Sequence, residues 1–74
     1  MLGVGTLFRY KFAEPEQHIM RYGIVKERID EQKVEIVWLH NGLTHELFEQ
    51  DLKSMVRSGG PGSGILYNPL EKAA

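Results

Sequence analysis

The dipeptide Asn41-Gly42 constrains this chain more than any other feature, because it lies between two runs in which apolar and polar residues alternate. Asn and Gly both tolerate φ > 0, and such a pair between alternating runs is the strongest short-range signal for a β-hairpin. A two-residue loop here sets His40 opposite Leu43, Trp38 opposite His45 and Ile36 opposite Leu47. A four-residue loop preserves that pairing, whereas a three-residue loop shifts it. One face then carries Val34, Ile36, Trp38, His45 and Leu47, and we take this more apolar set as the core face, with His45 against Trp38. The other face carries Glu35, Val37, Leu39, Thr44, Glu46 and Phe48. Val37, Leu39 and Phe48 are expected close together on the outside, and a contiguous exposed apolar patch needs a cover or a partner.

The flanking segments read as further strands. Phe8, Tyr10 and Phe12 alternate with Arg9 and Lys11, which is the period of a strand over residues 6–12. Residues 13–18, AEPEQH, are polar and interrupted by Pro15, so a loop follows. Residues 19–29 hold β-branched and aromatic residues around Gly23, and a glycine inside a strand often marks a bulge or sharp bend. Asp30, Glu31 and Gln32 turn the chain into a strand at 33–40, and a fourth strand is expected at about 43–48. Glu49 to Leu52 reads as a single tight turn and residues 53–57 as a short fifth strand. No helical period persists beyond one turn before residue 59. Five short strands with tight turns predict an all-β barrel or sandwich. At this length the expectation is a small, strongly bent barrel, since closure also removes exposed strand edges.

Composition limits the function classes. A chain of 74 residues makes one domain and buries only a modest core. It has no cysteine, which excludes disulfide staples, thiolate chemistry and cysteine zinc sites. No apolar run approaches the roughly 20 residues that span a bilayer, and Met1 to Gly5 lacks the pattern of a secretory signal. A soluble, cytosolic or particle-bound protein is expected. The net charge of -1 argues against phosphate-driven nucleic-acid binding, which needs a basic excess. A local basic stripe of Arg21, Lys26 and Arg28 is the candidate surface if nucleic acid is bound.

Beyond the strands lies Gly59 to Gly64, a flexible linker by composition. The last segment, ILYNPLEKAA, holds a helix-start pattern in Asn68, Pro69 and Glu71, but too few residues follow for an isolated helix. The expected organisation is a barrel at 1–58, a linker at 59–64 and a C-terminal arm at 65–74. Such an arm can lay Ile65, Leu66, Tyr67 and Leu70 into a neighbour's groove or add a strand to its sheet.

The stretches GTLFRY, RYGIVKERID, KVEIVWLHNG and HELFEQDLKSMV together resemble small SH3-like barrels of the KOW and Tudor kind. The same residues, about 5–57, resemble short proteins encoded by tailed bacteriophages, which often show an opening strand, a YGIV-type strand, a V-x-V-x-W strand with a glycine turn and an acidic DL ending. The long C-terminal extension departs from a minimal barrel. The resemblance implies a five-stranded SH3-like barrel, a phage setting in the virion or host cytoplasm, and a contact role. It does not imply a specific activity.

The residues themselves carry little chemistry. Of His18, His40 and His45, the last two are expected at opposite or offset positions around the turn, so no metal is expected, and no cofactor. Glu46, Glu49 and Asp51 read as solvated or capping acids. The Gly59–Gly64 run lacks the Lys and Ser/Thr of a phosphate loop. Tyr10, Phe12, Tyr22, Trp38 and Phe48 are candidates for an aromatic cage but read first as core. The expectation is therefore a non-enzymatic protein-contact module, with a capsid, tail or host protein or a second copy as partner. A KOW-like nucleic-acid binder and a phage regulator of a host enzyme are the alternatives.

Overall fold

The computed structural model describes residues 1–13 and 18–71. Most of the expected loop, 14–17, and the last residues of the expected arm, 72–74, lie outside the described residues. Five antiparallel strands form one sheet: β1 (Leu7–Ala13), β2 (His18–Arg28), β3 (Lys33–Trp38), β4 (Thr44–Phe48) and β5 (Gly64–Tyr67). A helix, α1 (Glu49–Ser58), separates β4 from β5, and a 3₁₀ turn follows at Pro69–Glu71. The sheet order is β4-β3-β2-β1-β5. It is a meander to which the last strand is added beside the first. The all-β expectation is met in part: five strands form the sheet, but a ten-residue helix accompanies them and the sheet is open rather than closed, with β4 and β5 as its edges.

The fifth strand comes from a different part of the chain than expected. Residues 53–57 belong to α1, and the strand is Gly64–Tyr67. The helix forms because Leu52, Met55 and Val56 fall at the i, i+3, i+4 spacing of one helical face. Acids in its first turn and Arg57 in its last suit the helix dipole. The usual start signal is missing, since Phe48 at the N-cap makes no side-chain capping bond. Instead the Glu49 N–H donates to the Gln32 carbonyl at 2.7 Å, so a neighbouring turn satisfies the first helical donor.

One face of the sheet and this helix make the core. Phe8 on β1, Val25 on β2, and Val34, Ile36 and Trp38 on β3 are buried together with Leu52 and Val56 of α1. Tyr10, Phe12, Leu47, Met55 and Ile65 pack around them. Gly23 lies in regular register between Phe8 and Trp38, without the bulge expected of it. The shift in pairing falls later, between Val25 and Glu27. The glycine is needed for space, because a Cβ there would overlap the Phe8 ring, with Cε2 at 2.8 Å.

The expected linker and arm are parts of this fold. Ser63 Oγ accepts the Lys11 N–H at 2.8 Å, and Phe8 pairs with Ile65 and Leu7 with Tyr67. Asn68 is buried and holds the chain's beginning. Its Oδ1 accepts from the Gly3 N–H at 3.1 Å and lies 3.2 Å from Thr6 Oγ1, and its Nδ2 donates to the Met1 carbonyl at 2.9 Å. The same Oδ1 accepts from the Leu70 N–H at 3.1 Å, which is the capping role the sequence indicates. Pro69 opens the 3₁₀ turn as expected of a first helical residue.

Candidate functional site: a bare sheet face and an open cleft

The hairpin keeps the expected faces but not the expected partners. The register pairs Ile36 with His45, Val34 with Leu47 and Val37 with Thr44, two residues displaced from the sequence expectation. The reason lies in the turn. Only Gly42 has a positive φ, 73°, so a two-residue turn with both positions left-handed does not form. The loop is instead closed by Trp38 N–H to Leu43 O at 2.9 Å and Gly42 N–H to Trp38 O at 2.8 Å. A displacement of two preserves which residues share a face. Trp38 is therefore buried as expected, but His45 is exposed and does not stand across from it.

The outer face lacks the patch expected from Val37, Leu39 and Phe48. Phe48 pairs with Lys33, four residues from Val37 along β3, and Lys33 Nζ lies 5.1 Å from its ring centre. Leu39 is beyond the strand end, beside Tyr22, whose carbonyl accepts its N–H at 3.0 Å. What Val37 joins is a row across the whole sheet. Tyr67 pairs with Leu7, Leu7 with Ile24, Ile24 with Val37 and Val37 with Thr44. Tyr22 and Leu39 extend this row on one side. Tyr22 is 40% exposed, Leu39 53% and Tyr67 52%. Charges rim the row: Lys26 pairs with Glu35 at 3.7 Å, and the Arg9 guanidinium carbon lies 6.0 Å from the Tyr22 ring centre.

Leu7, Tyr22 and Ile24 are the members that hairpin alternation does not reveal. The signal for Tyr22 and Ile24 is the run Tyr22-Gly23-Ile24-Val25, where apolar residues occupy both faces of β2. A strand of that kind reads as covered on both sides. Of the residues assigned to the arm, Ile65 turns inward against the core, whereas Leu66, Tyr67 and Leu70 are exposed. None belongs to a free arm.

The second feature is a cleft of about 450 Å³ at the end of the sheet where β1 leaves and β2 enters. Its apolar wall is Phe12, Ile36, Trp38, Leu47 and Met55, and its polar rim is Arg21, His40, Asn41 and His45. The Phe12 and Trp38 ring centres are 5.6 Å apart, and those of Trp38 and His40 are 6.3 Å apart. His40 and His45, expected at separate places, thus line one cleft. Among the described residues no three His, Asp or Glu side chains gather as a metal would require.

The three candidate cations are dispersed. Arg21 lines the cleft, Lys26 is ion-paired on the outer face, and Arg28 is used inside the fold. Arg28 Nη2 donates to the Leu2 carbonyl at 2.7 Å and to the Glu49 carboxylate, which also accepts from the Leu2 N–H. Burial pushes the Glu49 carboxyl up. The Leu2 N–H and then Arg28 outweigh it and hold the group below the usual glutamate range. The aromatic candidates divide as well. Trp38 is buried, Tyr10 and Phe12 pack on the core, and Tyr22 and Phe48 stand on the outer face. Comparison with protein-family models, curated proteins and solved structures found no match for this chain.

Proposed function

We propose that the chain is a non-enzymatic protein-contact module whose bare sheet face is the contact surface. The observation that carries this reading is the row from the exposed Tyr67 through the half-buried Leu7, Ile24 and Val37, with the exposed Tyr22 and Leu39 beside it. A charge-rimmed apolar strip of this kind marks a contact site on a small domain. The return of β5 to β1 supports an opened relative of the SH3-like barrel as the scaffold. The resemblance of residues 5–57 to short tailed-phage proteins supports attachment to a capsid or tail as the setting. Attachment through a free C-terminal arm is replaced in this proposal by the sheet face, to which Tyr67 contributes.

The test is a paired capture experiment, with tagged protein incubated in host lysate and purified virions analysed by mass spectrometry. A virion component retained by the parent and lost by a Val37→Asp, Leu39→Ser double variant supports the reading. A double variant that melts like the parent and keeps every partner rejects it. Capture of a host enzyme with no virion association assigns the contact to regulation instead. A low-salt gel shift with DNA and RNA separates the nucleic-acid alternative.

A further inference from the structure

We propose that the cleft bounded by Arg21, Trp38, His40, His45 and Met55 receives an acidic peptide segment bearing one large apolar side chain. The choice of a peptide rests on the protein-contact reading, but the site is separate from the bare sheet face. Its volume of about 450 Å³ lies within the usual range for ligand pockets. Its wall is apolar and ends in Met55, an unbranched side chain that adapts to what it touches.

The rim sets the sign of the occupant. The chain as a whole has 10 acids against 9 Lys and Arg, yet no acid lines this cleft among the described residues. Arg21 is half-buried there, and no carboxylate pairs with it among the described residues. Its planar guanidinium suits a carboxylate bound through two parallel hydrogen bonds. His40 and His45 also line the cleft and add imidazole N–H donors.

Trp38 excludes a nucleobase as the preferred guest. It is 8% exposed, with Phe8, Phe12 and His40 rings around it at centre distances of 5.5, 5.6 and 6.3 Å. Stacking needs an open ring face, and an indole this deeply buried has little ring surface to offer. An apolar side chain against the apolar wall, with a carboxylate reaching Arg21, satisfies both halves of the cleft.

Trp38 is the only tryptophan, so its fluorescence reports on this cleft. The full chain is titrated with a blocked nine-residue peptide of Asp and Glu around a central Phe. Three further probes are the same peptide with Lys for every acid, the same with Ala for Phe, and a labelled oligothymidine. The expected result is a saturable change with the acidic Phe peptide alone. Arg21→Gln should weaken it about tenfold, as loss of a charged hydrogen-bond pair does, and Arg21→Lys should recover part of the loss. Should Arg21→Gln fail to fold, His45→Glu on the exposed edge strand places a carboxylate on the same rim that offsets the Arg21 charge and should abolish binding. Equal binding by either variant, by the Lys peptide or by the Ala peptide overturns the proposal, as does competition by oligothymidine. Loss of the outer-face partner in the Val37→Asp, Leu39→Ser variant with peptide binding intact leaves the two sites independent. A silent cleft with that partner retained by the parent defeats the cleft alone.

Discussion

The two faces of this sheet are made from the same strands and have opposite fates. The inner face carries Phe8, Val25, Val34, Ile36 and Trp38 and is sealed by Leu52 and Val56 of α1. The outer face carries Leu7, Ile24 and Val37 in an unbroken row with Tyr67; Tyr67 is exposed and the other three stay half-buried, outside the core that α1 seals. One helix of ten residues can shield one side of a sheet and no more. The contrast teaches that apolar alternation identifies two faces but does not say which is core. What decides is where the helix docks.

Substitutions that disturb the comparison should differ in size by face. Trp38→Ala removes an aromatic side chain held by the Phe8 and Phe12 rings. It should cost about 3–5 kcal/mol, read as a large fall in the urea midpoint or as outright unfolding. Gly23→Ala forces a methyl into the Phe8 ring and should cost about 1–3 kcal/mol by overpacking. A normal melt would mean that Phe8 has another place to go.

Glu49→Gln should cost about 1.5 kcal/mol at neutral pH by weakening charged hydrogen bonds to Arg28 and Leu2. Because the Glu49 carboxyl is held below its ordinary value of 4.5, its contribution is full above that value and fades as pH falls through the lower folded value. The parent should lose this stability below about pH 4.5, and the variant should show a flatter acid limb in melts taken across that range. Smallest of all, Leu39→Ser on the outer face should change stability by less than about 0.5 kcal/mol while weakening partner capture. A large loss of stability there would show that the outer face carries structural weight.

Much of the inner face is legible from residue order alone. Phe8, Tyr10 and Phe12 alternate, as do Val34, Ile36 and Trp38, and their burial follows. The two-residue displacement of the β3–β4 register is not legible, because face parity is the same for both pairings and only the turn distinguishes them. The helix is concealed because its apolar face is three residues, Leu52, Met55 and Val56, and its start borrows the Gln32 carbonyl in place of a capping side chain. The last strand is concealed because its pairing with β1 depends on a distant partner. Glycines near it read as a linker, although they form the turn that brings Ser63 to the Lys11 N–H. The cleft is less legible still: Arg21, His40, His45 and Met55 come from four separate segments, and only the fold makes them neighbours.

The contacts of β5 and Asn68 have a kinetic consequence. The first four strands pair with their neighbours in sequence through short connections, whereas Asn68 joins Gly3 across 65 residues. Local contacts form before distant ones, since a long loop must lose its freedom before the contact rewards it. The meander is therefore expected to assemble before the final segment joins it, an order that φ-values would test. Until it does, β1 is an unprotected edge, open to pairing with another chain. Asn68, which ties Met1 and Gly3 to the turn at Pro69–Glu71, is on this view the contact that shields the β1 edge from misassembly.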